Sequence, residues 1–138
     1  MAGTCTQGSV VTPITNVRTL SFTCVGDASG GSIPDTDISA ANTTKLLGWE
    51  LWKVQAIAGS PGPTANSDVY VKDTNSVDLL GSYGENMLDN TGSNETIPRI
   101  DGVASLQPVV GVLTLDVDNQ SVNSAAYTII LFFRRGQK

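Results

Sequence analysis

The chain has 138 residues and a net charge of −5, which suits one domain built around a single core. Hydrophobic residues make up 40% and charged residues only 15%, which excludes a disordered chain, because disorder goes with high net charge and little apolar content. The 8 Lys and Arg residues are spread thinly, and neutralising phosphates needs a cationic patch, so nucleic-acid binding is not expected.

Residues 1–16 read as an N-terminal arm, expected to order on a neighbouring subunit, and residues 17–138 as a single β domain. Residues 1–8 lack the basic and apolar parts of a signal peptide. No apolar run approaches the ~20 residues that span a bilayer. A soluble protein made in a cytoplasm, with no membrane partner, is expected. Residues 17–24 (VRTLSFTC) alternate, with Leu20, Phe22 and Cys24 on one face and Thr19, Ser21 and Thr23 on the other, as a half-buried strand requires. Residues 26–34 are rich in turn formers and read as a loop.

Residues 37–47 are the one plausible helix, with an irregular loop as the alternative. Asp37 or Ser39 would cap its start and Gly48 would close its end. Residues 49–57 (WELWKVQAI) read as a long strand with Trp52, Val54 and Ala56 on one face and Trp49, Leu51 and Ile57 on the other. Both faces are then partly apolar. Residues 58–67 form a loop, and 68–80 are two short strands around a turn at 73–76. Residues 81–99 are dominated by Gly, Ser, Asn and Asp and are expected to be a long exposed loop, with a helical turn at 85–88.

Residues 109–118 and 125–135 are the strongest strands, joined by a hairpin loop at 119–124. In the second, Tyr127, Ile129, Leu131 and Phe133 share one face, and Ile130 and Phe132 the other. The pattern as a whole predicts an all-β, single-domain antiparallel β-sandwich or jelly-roll-like fold with long loops and at most one short helix. Strands apolar on both faces need a covering partner. Trp49, Leu51, Ile130 and Phe132 are therefore the expected subunit interface, and Tyr83 the expected exposed loop contact.

Little enzymatic chemistry is open to the chain. It has no histidine, which removes Ser-His-Asp and Cys-His nucleophiles and, with two distant cysteines, a zinc site. No phosphate loop or dinucleotide fingerprint is present. Asp116 and Asp118 share a strand face two positions apart, within approach of the ~5 to 9 Å spacing of a glycosidase pair, but a wet strand face gives the same pattern without function. Asp27, Asp35 and Asp37, and Asp89, Asn90, Asn94 and Glu95, crowd two oxygen-rich loops that lack the spacing of a known calcium loop, with a structural calcium as the lesser alternative to ordinary acidic turns. No enzyme, catalytic residue, cofactor or metal is expected.

Acceptor patterns for glycosylation at Asn42, Asn94 and Asn119 fall at the rate expected by chance in so Asn- and Thr-rich a chain. Trp49, Trp52, Tyr70 and Tyr83 offer flat surfaces to sugars, although strand cores favour the same residues. Arg134, Arg135 and Lys138 read as a solvated cluster or a pairing site for an acidic neighbour. Cys24 reads as a small buried hydrophobe and Cys5 as part of the polar arm. A bridge between them is the lesser alternative.

Residues 11–25 (VTPITNVRTLSFTCV), 48–54 (GWELWKV), 67–80 (SDVYVKDTNSVDLL) and 112–133 together resemble small β-rich structural proteins of tailed bacteriophages. That group includes capsid decoration or cement proteins and neck, collar or tail components. The resemblance implies a virion protein present in repeated copies, a homotrimer in the decoration case, bound to the major capsid protein or to other virion proteins. A neck or tail component, or a carbohydrate-binding module on the virion surface, is the alternative.

Overall fold

The computed structural model describes residues 2–135. In chain order it contains β1 (Thr4–Gln7), β2 (Val11–Ile14), β3 (Val17–Val25), β4 (Thr36–Asp37), α1 (Ala40–Leu46), β5 (Trp49–Ala58), β6 (Asp68–Lys72), β7 (Ser93–Thr96), β8 (Arg99–Ile100), β9 (Val103–Ala104), β10 (Gln107–Pro108), β11 (Thr114–Asp118) and β12 (Ala126–Arg135). The fold is all-β with antiparallel sheets and one short helix. A 7-stranded sheet runs β1-β3-β12-β5-β10, with β2 also on β3 and β7 also on β5. β1 and β2 lie along successive parts of β3, as β10 and β7 do along β5. A 3-stranded sheet, β4-β11-β6, faces it.

The period of two decides which side chains meet between the sheets. Leu20, Phe22 and Cys24 of β3 and Tyr127, Ile129, Leu131 and Phe133 of β12 point inward. They join Leu51, Val54 and Ala56 of β5, Val69 and Val71 of β6, and Leu115 and Val117 of β11 in one buried cluster. The chain's accessible surface is 6870 Å², close to the roughly 6,800 Å² expected of a folded monomer of this mass.

Several expectations are met at the level of single residues. Ser39 caps α1, its hydroxyl accepting from the Asn42 amide at 3.2 Å. Gly48 follows the helix at φ +82, a left-handed conformation that favours glycine. The hairpin β8–β9 turns on Asp101 and Gly102, both at positive φ, and Asp-Gly is the two-residue turn signal that this geometry favours.

Other expectations are corrected. Residues 119–124 are not a hairpin: β11 belongs to the small sheet and β12 to the large one, so the segment crosses between layers. Gln120 anchors this crossing. Its buried amide donates to the carbonyls of Gly31 and Val122 and accepts from the Thr64 and Val122 amides. Beside it Gly31, at φ +78, lies so close to Ser121 that a Cβ would sit 2.5 Å from its carbonyl carbon.

β5 does not alternate throughout. Phe132 pairs with Lys53 but Phe133 with Leu51, leaving Trp52 as the extra residue of a β-bulge. The bulge switches phase, so Leu51, Val54 and Ala56 all point inward. The second strand expected within 68–80 is reduced to one bridge, Lys72–Asp78. Residues 81–99 are packed in part, with Met87 and Leu88 buried and β7 added to the large sheet.

The N-terminal arm lies on its own chain. β1 and β2 pair with β3, and the buried Asn42 of α1 ties the segment between them. Its amide donates to the Gly8 carbonyl at 2.8 Å and to Gln7 Oε1 at 3.0 Å, and its Oδ1 accepts from the Val10 amide at 3.1 Å.

Candidate functional site

The outer face of the large sheet carries the candidate assembly surface. Along its central strand, Thr128, Ile130 and Phe132 alternate with the buried residues of β12 and are half-buried themselves. Ile130 lies between Ser21 and Gln55, and Phe132 between Thr19 and Lys53. Trp52, freed by the bulge, meets Phe132 edge-on with ring centroids 6.2 Å apart at 84°. Lys53 Nζ sits 4.7 Å from the Phe132 ring centre and 5.0 Å from that of Trp52, and the Arg134 guanidinium 5.7 Å from Trp52. Such contacts attract a cation to the ring faces.

Lys53 also reaches Glu95 at 3.6 Å, and Gln55 donates to the same carboxylate at 2.8 Å. These contacts hold the Glu95 carboxyl below its ordinary range, the Gln55 hydrogen bond first and the Lys53 charge second. A groove of about 210 Å³ opens beside Trp52, walled by Ile97, Pro98, Ala104 and Leu106. The surface is apolar at the centre, hydroxyl-rich on the β3 side and cationic at the β5 end.

The four residues expected at the interface are not equivalent. Ile130 and Phe132 lie together on this face. Leu51 does not: the bulge turns it inward, it is 0% exposed, and its role is core packing. Trp49 packs partly against the core, with the Arg18 guanidinium 4.3 Å over its ring. Trp52 takes the place expected of Leu51. Only the pairing register, invisible in the sequence, reveals this.

The small sheet presents the opposite character. Cross-strand register sets Asp116 against Tyr70, Asp118 against Asp68 and Thr114 against Lys72 on its outer face. Lys72 Nζ contacts Asp116 Oδ2 at 2.7 Å. Burial pushes the Asp116 carboxyl up, but hydrogen bonds from Lys72 and Asp35 and the Lys72 charge outweigh it and hold Asp116 below its ordinary value. Asp35 and Asp118 are both raised, by burial and then by the adjoining Asp116. Tyr70 is pushed up to about 12 by burial and by the charges of Asp68 and Glu85.

Asp116 and Asp118 are coupled through their charges, and Asp116 is engaged by Lys72 at 2.7 Å.

No family model, curated protein or solved structure matches the chain.

The remaining sequence candidates are absorbed by local structure. Asp27 accepts from the Ser29 and Gly30 amides, and Asp37 accepts from the Thr114 hydroxyl at 2.6 Å. Among the described residues no group of three His, Cys, Asp or Glu side chains is placed to hold a metal, and no helix is long and apolar enough to cross a membrane. Of the glycosylation acceptors, Asn42 is buried and Asn119 donates to Asp68 Oδ2 at 2.5 Å. Tyr83 is 50% exposed and carries the Arg99 guanidinium 4.4 Å over its ring. Arg134 and Arg135 are exposed at the end of β12, and Lys138 lies outside the described residues.

Proposed function

We propose that the protein is a structural component of a bacteriophage virion: a capsid decoration protein that assembles as a homotrimer and braces the shell formed by the major capsid protein. One observation carries this reading. The outer face of the large sheet presents Trp52, Ile130 and Phe132 as a half-buried apolar strip on its central strand and the neighbouring β5. Interface cores have this make-up, rich in aromatics and poor in charge, with charged groups confined to the rim. The sequence resemblance to small phage structural proteins supplies the identity of the partner, and the absence of histidine from the chain is consistent with a role without catalysis.

The decisive experiment counts the protein in purified particles and locates it. Hundreds of copies spread over the head fit decoration, whereas about a dozen at one vertex would replace this reading with a neck or tail role. In solution, sedimentation should show a trimer that Ile130→Glu, placing a charge at the centre of the strip, converts to monomer. The same variant should no longer bind mature shells. A wild-type monomer that never copurifies with heads overturns the proposal, as would hydrolytic turnover that disappears in Asp116→Asn. Glycan binding lost in Tyr83→Ala without unfolding would point instead to a carbohydrate-binding module.

A further inference from the structure

Cys5 of β1 and Cys24 of β3 stand directly opposite each other, with their sulfurs 3.2 Å apart. The ladder position matters. The Gly8 amide donates to the Ser21 carbonyl at 2.9 Å, which makes Gly8–Ser21 a hydrogen-bonded pair. Alternation back along the register then puts Thr6–Thr23 in the same class and Cys5–Cys24 at a non-hydrogen-bonded position. Cα atoms at such positions approach to about 4.5 Å, within the ~4.4 to 6.8 Å that a disulfide spans. The backbone is already placed for the bond.

The two thiols are also differentiated. Cys24 is fully buried, whereas Cys5 is partly open to solvent. A hydrogen bond joins the two sulfurs, and this bond, opposed by burial, lowers the Cys5 thiol from its ordinary value. The same bond and burial push Cys24 up. One sulfur is thus the accessible nucleophile, and the other is a shielded partner within reach.

We propose that Cys5 and Cys24 form a redox modification site, at which thiol–disulfide exchange with a small-molecule disulfide closes a bond that fastens the edge strand β1 to β3. The Cys5 thiolate attacks one sulfur of the reagent disulfide, forming a mixed disulfide and releasing one reagent thiolate. Cys24 then attacks the Cys5 sulfur, expels the second reagent thiolate and gives up its proton to it. The protein loses two hydrogens and two electrons, and the reagent disulfide becomes two thiols. The bond closes a loop between positions 19 apart in sequence. It ties down a strand of 4 residues at the sheet's edge that otherwise depends on backbone hydrogen bonds and the Asn42 clamp. The inference stands on this geometry alone, independent of the assembly reading.

The test uses the full chain, reduced and then exposed to excess oxidised glutathione. Both thiols should become unavailable to maleimide after denaturation, and the intact mass should fall by two hydrogens with the protein remaining free of interchain bonds. Amide hydrogens of Thr4–Gln7 should then exchange roughly tenfold or more slowly than in the reduced protein. Cys24→Ser should stop at a glutathione adduct on Cys5. Cys5→Ser, a change at the partly exposed position that spares the core, should leave Cys24 unreacted in the native state. A wild-type protein that stays a dithiol, halts at the Cys5 adduct or cross-links between chains overturns the proposal.

Discussion

Tyr127 is buried to 2% exposure, yet its hydroxyl has no hydrogen-bond partner among the described residues. Burial, and then the neighbouring Cys24 and Cys5, drive its phenol well above the ordinary range. A buried hydroxyl without a partner costs desolvation that a phenyl ring of the same shape avoids. Tyr127→Phe is therefore expected to leave stability unchanged or raise it by up to about 1 kcal/mol, measured as a shift in thermal midpoint. On the small sheet, two carboxylates two positions apart have opposite linkage. Asp116 is held below its unfolded value, so it stabilises the fold above the unfolded pKa of about 3.9 and loses that contribution as pH falls through its folded value. Asp118 is raised, so its cost appears as pH rises from about 3.9 through its folded value and is complete above it. Asp116→Asn should destabilise by about 1–2 kcal/mol at pH 7, with a smaller penalty at pH 3. Asp118→Asn should stabilise by only a few tenths of a kcal/mol at pH 7, because its exposed position screens the interaction, and that gain should vanish at pH 3. Urea midpoints at the two pH values check both signs.

The bulge in β5 is the element-scale feature with the widest consequence. By inserting Trp52 opposite no residue of β12, it keeps Leu51 and Val54 in the core and sends Trp52 to the outer strip. Deleting Trp52 restores a regular ladder in which Leu51, Val54 and Ala56 remain in phase. That variant should fold cooperatively, losing about 1–2 kcal/mol from the aromatic contact with Phe132. Deleting Gln55 instead forces Val54 and Ala56 onto opposite faces, and a one-residue slip of this kind exposes core residues. That variant should fail to give cooperative unfolding by circular dichroism. Strict alternation over 49–57 puts Leu51 and Val54 on opposite faces, and the bulge at Trp52 brings them to the same one. In β12, where no residue is inserted, alternation assigned Tyr127, Ile129, Leu131 and Phe133 to the core, and all four are buried.

At the scale of the molecule the two outer faces differ in charge and polarity. The small sheet exposes Asp35 and Asp118 around the buried Asp116 and its partner Lys72, and the large sheet presents half-buried aromatic and aliphatic side chains edged by Lys53 and Arg134. An assembly through the large sheet hides the apolar strip and leaves the acidic face in water, which favours solubility. The monomer expected of Ile130→Glu should keep its fold, because Ile130 is only half-buried. Its urea midpoint should shift by no more than about 1 kcal/mol, the range of a change outside the core. A larger loss would make the strip a folding element instead of an interface.

The sequence alone determined the β class and the two-sided patterns of β3 and β12, and it narrowed the helix cap to Asp37 or Ser39 with Gly48 as its close. Each of these follows from local chemistry: a period of two, a hydroxyl that caps, a residue that tolerates positive φ. Only the tertiary structure decided that β11 and β12 lie in different sheets, that Leu51 is core and Trp52 is surface, that residues 4–14 pair with their own β3, and that Cys5 meets Cys24. These depend on register between distant segments, and register is set by contacts that no local pattern encodes.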